Sequence, residues 1–421
     1  MRILVVGSGG REHALAWRLS TEAPGRELHL APGNPGMAAL GTLHAVAADD
    51  VPGLVALAQK LKPELVVVGP EAPLAAGLVD ALRAHGVVVL GPTRAAARLE
   101  TSKSWAKEVM VAAGVPTARC RLVGTEAELE GALPDGPVVL KADGLAAGKG
   151  VVVADARAEA LRDGRELLQR YGAPVLVEER LSGREVSVLA VCDGENAVML
   201  PTAQDHKRLL DGDRGPNTGG MGAVSPGTHH GRLAVDEPTL LSRVRHDVIL
   251  PTLKEMRARG TPFVGVLYAG LMVDPERGTM HVLEFNARLG DPETQAILRR
   301  VQGNLGETFL HAAQGRMAGD ALGVSPEAAA CVVMAAQGYP GQLRTGDVIE
   351  GLAEAAAVES AVVFHAGTRR DAEGRVVTSG GRVLAVSTVG VTVAHAVERA
   401  YSAAARIRWP GVQLRRDIGR A

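Results

Sequence analysis

Aromatic residues make up only 3% of this 421-residue chain, cysteine occurs three times, and neither sign of charge prevails. So few aromatics exclude a base-stacking platform for single-stranded nucleic acid. Lysine and arginine number 46 against 47 acids, a formal net charge of −1, so no global field draws in nucleic acid or anionic membrane. A negatively charged substrate must then be held by a local cluster. Cys120, Cys192 and Cys331 match no metal-ligand spacing and read as free thiols in a reducing cytosol. No apolar run is long enough to span a bilayer. The first strand leads at once into Arg11, Glu12 and His13, which is no signal peptide. A cytoplasmic location is expected. Hydrophobic residues at 46% and charged residues at 22% are ordinary for a globular protein. The length calls for about two to four domains.

The most informative stretch is His281-Val-Leu-Glu-Phe-Asn-Ala-Arg-Leu-Gly-Asp-Pro-Glu-Thr-Gln295. Its opening residues favour a strand, on which alternate side chains face opposite ways. Glu284, Asn286 and Arg288 then share a polar face, and Leu283, Phe285 and Leu289 a core face. A carboxylate and an amide oxygen two residues apart, beside an arginine, suit a hard divalent cation carrying phosphate. An edge strand with a solvated polar face is the competing reading. Gly290 and Pro292 end the strand abruptly and set Asp291 and Glu293 in a turn beside that face.

From the start, Arg2-Ile-Leu-Val-Val-Gly7 enters the glycine turn Gly7-Ser-Gly-Gly10, and a helical pattern follows in Ala14, Leu15 and Leu19. The helix opening can hold an anion. A dinucleotide site does not fit, because Glu12 occupies the third glycine position and no acid ends the second strand. Strands at Leu65-Val-Val-Val-Gly69 and Val87-Val-Val-Leu90 complete an α/β, mostly parallel unit over residues 1 to 100. Glu71 stands just past a strand's carboxyl end, where open sheets place ligands.

A helix opens at Thr101, and Pro137-Val-Val-Leu-Lys-Ala-Asp143 is a strand ending near Lys141. Gly144-Leu-Ala-Ala-Gly-Lys-Gly150 follows, then the apolar run Val151-Val-Val-Ala154. The glycine spacing is one short of a Walker A loop, and a strand follows where a helix is needed. A flap between two strands, its amides folding over phosphates, is the better reading, with Lys141 and Lys149 flanking it. Pro174-Val-Leu-Val-Glu-Glu-Arg-Leu-Ser-Gly183 offers a weak adenine edge at Glu178, Glu179 and Leu181, with Glu185 for ribose. Gly215-Pro-Asn-Thr-Gly-Gly-Met-Gly222 is a polar glycine loop of the kind that carries function. Residues 263 to 273 read as a central strand pairing with the strand of Glu284. From Ser325 a separate, supporting unit is expected. Its strands are placed at 328 to 335, 361 to 364 and 382 to 386, and its terminal helix runs from the cap Thr392 to Arg408.

Six motifs in this order resemble one family. They are Gly9-Gly-Arg-Glu-His-Ala14, Gly69-Pro-Glu-Ala-Pro73, Lys141 to Gly150, Gln204-Asp-His-Lys207, Gly215 to Gly222 and Glu284-Phe-Asn with Arg288-Leu-Gly-Asp-Pro-Glu293. The family is that of the phosphoribosylamine–glycine ligases, within the ATP-grasp superfamily. The resemblance implies an α/β (α+β overall) ATP-grasp fold with a Rossmann-like pre-ATP-grasp domain at 1–100. The ATP-grasp domain follows at 101–300, its flap-bearing part at about 115–185, and a small C-terminal domain at 325–421. It implies that ATP, glycine and 5-phosphoribosylamine are the partners and that Mg²⁺ or Mn²⁺ is the cofactor, in a monomer or weak oligomer. Lys103, Lys141, Gly148, Lys149, Arg208 and Asn217 are then expected at the ATP phosphates, and Glu178, Glu179, Arg180, Leu181 and Glu185 at adenosine. Gly10, Arg11, Glu12, Asp205 and Asp291 would meet substrate, Glu284 and Asn286 the metal. Arg288 and Lys141 would act in catalysis. Ser8 departs from the usual asparagine and Leu289 from the usual phenylalanine. The alternatives are another ATP-grasp carboxylate–amine ligase or a biotin-type carboxylase acting on a different substrate, a non-catalytic nucleotide sensor, against which the Glu284 and Asn286 pair and both lysines count, and a dehydrogenase, which the missing third glycine and ribose acid disfavour.

Overall fold

The computed structural model describes residues 1–144, 150–229, 233–317, 319 and 321–420. The flap residues Gly148 and Lys149 lie outside the described residues.

The N-terminal part is a parallel sheet of five strands. Arg2–Gly7 is at its centre, flanked by Glu27–Pro32 and Leu65–Val68. Ile3, Leu4, Val5 and Val6 are fully buried, as strands covered by helices on both faces must be. The helix Gly10–Glu22 begins at an extended Gly9 and closes on itself, the Gly9 N–H donating to Glu12 Oε2 at 2.7 Å. Glu12 therefore takes up part of the anion cradle expected at this helix opening.

Two antiparallel sheets follow. Cys120–Val123, Val175–Glu179, Val138–Ala142 and Val151–Ala154 lie side by side in that order. Lys141 pairs with Val151, so the glycine segment does join two adjacent antiparallel strands. The second sheet runs Ala197–Met199, Arg184–Asp193, Val264–Val273 and Met280–Asn286, with Val264–Val273 central as expected.

Alternation along Met280–Asn286 breaks at Leu283. Gly270 faces Glu284 but Leu271 faces Val282, so Leu283 is an extra residue. Val282 and Phe285 both join the core beneath, whereas Leu283 is only half-buried. The expected pairing of Leu283 with Phe285 on one face is thus overturned by the bulge. Full burial of a side chain such as Phe285 contributes about 1.5–3 kcal/mol, enough to hold the strand in this register.

The last sheet begins before the boundary expected near 325. Its order is Gln204–Asp205, Gly222–Ser225, Ala328–Ala335, Arg382–Gly390 and Val362–His365. Two middle-chain strands therefore complete the C-terminal sheet, and Gly222 belongs to a strand rather than to a glycine loop. The terminal helix Val393–Ala404 is capped by Thr392, whose hydroxyl accepts the His395 N–H. It stops short of Arg408. The two ends of the chain also pack together. His13 lies 5.4 Å and Trp17 5.9 Å from the Phe364 ring, and the His365 N–H donates to His13 Nδ1 at 2.8 Å.

Candidate active site

The strand Met280–Asn286 lies at the edge of its sheet, with Glu284 and Asn286 on the part nearest Arg288. Neither side chain makes a hydrogen bond or ion pair with any described residue. Burial alone would raise the Glu284 carboxyl. Lys207, Lys141, Lys103 and Arg288 face it and hold it below the ordinary carboxylate range. An ionised carboxylate and an amide oxygen are therefore both uncommitted at one strand end. Among the described residues no cluster of three or more His, Cys, Asp or Glu is arranged to hold a metal by itself. A hard cation would need oxygens from phosphate as well, which is how Mg²⁺ is commonly bound.

The cations around Glu284 are held firmly. Lys141 is buried, pairs with Glu178 at 2.7 Å and donates to the carbonyl of the bulged Leu283 at 2.8 Å. Glu178 also meets Lys107 at 2.8 Å, and Lys107 donates to Thr117 Oγ1 at the same distance. Thr117 Oγ1 in turn donates to the Val282 carbonyl at 2.7 Å, so the sheet containing Val138–Ala142 is tied to the strand of Glu284. The Glu178 side chain thus braces two lysines, whereas Glu179 turns outward to Arg119. Lys103 donates to the carbonyl of Gly144, the first residue of the Gly144–Gly150 segment, at 2.8 Å. Arg180 lies outside this group and meets the exposed Asp155. Leu181 is half-buried.

Asp205 is pushed up to about 7 by burial and by Glu293, Glu185 and Glu284, against the pull of Lys207. Lys207 pairs with Glu185. Glu293 is buried and accepts from the Tyr268 hydroxyl at 2.6 Å. Arg208 and Asn217 face one another on an exposed hairpin.

Arg288 has left the strand and points toward the N-terminal part. It meets Glu100 at 3.0 Å and Glu71 at 3.4 Å. Arg11 reaches Glu71 at 4.0 Å and the Leu289 carbonyl at 3.2 Å, and also pairs with Glu12. A Cβ on Gly7 would lie 2.5 Å from Glu12, and one on Gly69 only 2.2 Å. Both glycines make the slot for that side chain. Glu12 therefore supports the turn, while Gly10 packs on Gln295.

Beside this network a cavity of about 260 Å³ opens between Ser8 and Gly9 of the first turn, Asp291 and Gln295, and Gly367 and Arg382 of the last sheet. Arg382 meets Asp291 at 2.9 Å. The C-terminal unit, read from sequence as a supporting domain, thus supplies part of the lining of this cavity. Glu100, Lys107 and Arg382 escaped the sequence reading because nothing in their own neighbourhoods marks them. Tyr268 stood in the central strand without a chemical cue.

Known proteins resemble this chain along its length. The phosphoribosylglycinamide synthetase N domain matches residues 1–100, its ATP-grasp (A) domain 101–294 and its C domain 329–421. A phosphoribosylamine–glycine ligase from Streptomyces coelicolor is 52% identical, with 99% of this chain and 98% of that protein covered. One from Ralstonia nicotianae is 48% identical over 100% of this chain and 99% of its own. The crystal structure of the Thermotoga maritima phosphoribosylamine–glycine ligase superposes with a TM-score of 0.83 at 35% identity, covering 100% of both chains. The biotin carboxylase domain of a Hydrogenobacter thermophilus 2-oxoglutarate carboxylase, solved with MgADP and bicarbonate, shares the fold at a TM-score of 0.69 and 17% identity, over 98% of this chain and 91% of that one. Three family domains in order, with full-length relatives behind them, establish that the chain belongs to the phosphoribosylamine–glycine ligase family of ATP-grasp ligases.

Proposed function

We propose that the chain joins glycine to 5-phosphoribosylamine, with ATP cleaved to ADP and phosphate, giving glycinamide ribonucleotide for purine synthesis. The observation that carries this reading is the uncommitted Glu284 and Asn286 pair, ringed by Lys103, Lys141, Lys207 and Arg288. Glycine's carboxylate is a poor electrophile, because amine attack would have to expel oxide. Transfer of the γ-phosphoryl to a carboxylate oxygen makes glycyl phosphate and ADP. The amine then attacks the carbonyl carbon, phosphate leaves, and the amine loses its extra proton. Positioning and charge neutralisation are what a protein adds to such steps.

In this reading Lys103, Lys141, Arg208, Asn217 and the flap residues Gly148 and Lys149 receive the ATP phosphates. The main chain at Glu179 and Leu181 meets adenine, and Glu185 the ribose. Glu284 and Asn286 would hold Mg²⁺ or Mn²⁺, which supplies charge neutralisation at the phosphates when bound. Phosphoribosylamine would enter the cavity between Gly9, Asp291 and Arg382, and Arg11 and Arg288, in the network beside it, would neutralise charge on the acyl group. No helix of the described residues is long and apolar enough to cross a membrane, and a cytoplasmic enzyme acting as a monomer or weak oligomer accords with this reading. The test is ADP release with each of glycine, phosphoribosylamine and ATP omitted in turn. Release that persists without glycine or without phosphoribosylamine would assign the chain to a different ligase.

A further inference from the structure

The strands Arg208–Leu210 and Arg214–Asn217 form a ribbon that pairs only at Arg208–Asn217 and Leu210–Arg214, with an irregularity between. Nearly all its side chains are exposed, and an isolated two-stranded ribbon is marginal in water. Its turn carries a further strain, since Asp213 sits at φ 50 without being glycine. Something outside the ribbon must hold it.

The end of the chain does so. The Arg415 side chain is fully buried, the largest such side chain among the described residues. Its Nε and Nη2 donate to the two Asp417 oxygens, both at 2.8 Å. Its Nη1 donates to Asp213 Oδ1 at 2.6 Å and to the Arg208 carbonyl at 3.2 Å. Around this centre the Arg416 N–H donates to Asp211 Oδ1 at 2.8 Å, and the Gly212 N–H to Asp417 Oδ2 at 2.7 Å. The segment is itself anchored. The Tyr401 hydroxyl donates to the Arg415 carbonyl at 2.8 Å and accepts the Ile418 N–H at 3.0 Å, and Ile418 is buried beneath the last sheet. The Arg208 guanidinium donates to the Gly215 carbonyl across the same turn at 2.7 Å, so its direction follows the ribbon's shape.

We propose that Arg415, with the tail 415–417, is a positioning residue for the nucleotide site, fixing the ribbon that presents Arg208 and Asn217 to the ATP phosphates. This rests on the assignment of those two residues made above. Arg415 touches no substrate and acts through Asp213 and the Arg208 carbonyl.

The test uses full-length Asp213→Asn, Arg415→Lys and Arg208→Ala enzymes, with Michaelis constants for ATP and glycine, melting temperature and hydrogen exchange of the 208–217 amides. Asparagine tolerates the left-handed turn as aspartate does, so Asp213→Asn removes charge alone. That variant is expected to raise the ATP constant about fivefold, the scale of one partly exposed pair, and leave the glycine constant within about twofold. The ribbon amides should exchange faster while those of Val393–Ala404 do not. Arg415→Lys should do more, because an ammonium cannot reproduce the forked contacts. If Arg208→Ala raises the ATP constant and the other two variants do not, the tail has no positioning role and the ATP assignment stands. If Arg208→Ala has no effect, the ATP assignment itself fails and takes the proposal with it. A fall in turnover for all substrates together with a lowered melting temperature would make Arg415 merely structural and overturn the proposal.

Discussion

The Glu100 carboxylate meets the Arg288 guanidinium at 3.0 Å and at the same time accepts the Ala287 N–H at 2.9 Å. One buried acid, at the junction between the N-terminal sheet and the next helix, thus sets both the backbone of Ala287 and the side chain of Arg288, the two residues just past the strand Met280–Asn286. Burial raises the Glu100 carboxyl above its ordinary range against the pull of Arg288, so its charged form depends on that partner.

Glu100→Gln keeps an acceptor for Ala287 and removes the charge that aims Arg288. Turnover is expected to fall about tenfold, about 1.4 kcal/mol of barrier, with the ATP Michaelis constant little changed. Steady-state kinetics decide this, and an unchanged turnover would show that Glu71 alone orients Arg288.

Lys141 lies between Glu178 and the Leu283 carbonyl, within the field of Glu284. Lys141→Ala should lower turnover about 10²–10³-fold, the scale of one lost charge-stabilising donor. Because Glu178 keeps Lys107 at 2.8 Å, the variant should still fold. Near-normal turnover with a normal melt would remove Lys141 from the chemistry.

Glu284→Gln drops a charge that four cations face, whereas Asn286→Leu removes a neutral oxygen. Both should weaken Mg²⁺ or Mn²⁺ activation more than they lower the melting temperature, since Val282 and Phe285 carry the core side of the strand. Titration of each ion in the ADP-release assay, beside thermal melts, separates the effects. A collapsed melt with an unaltered metal requirement would make Glu284 structural.

His13 is pushed down to about 3 by burial and by His365, and His365 to about 4 by burial and Arg370. An unfolded histidine takes its proton near 6.5. Between about pH 6.5 and 4 the unfolded chain therefore binds protons that the folded chain refuses, and stability falls as pH falls. His13→Asn keeps an acceptor for the His365 N–H and removes one titrating group. Its melting temperature should decline less steeply from pH 7 to 4.5 than that of the parent, and parallel curves would exclude His13 from the effect.

Much of the local structure was legible because its causes are local. The turn at Gly9 and the strand Val264–Val273 follow from glycine placement and apolar runs, and both stand where expected. The bulge at Leu283 was not legible. Alternation assigns faces only while each residue has one partner across the ladder, and Gly270 and Leu271 span three residues of the facing strand.

The sequence by itself determined the strand carrying Glu284 and Asn286, the antiparallel strands on either side of the flap and the family, since each depends on residues close in the chain or on motifs in order. Tertiary structure alone decided what those residues answer to. It brought Glu100 and Glu71 to Arg288, Arg382 to Asp291, and Arg415 beneath the 208–217 ribbon. The physical reason is burial. A guanidinium or carboxylate removed from water must find its opposite charge wherever the packed sheets bring one, and no local pattern of residues records that distance.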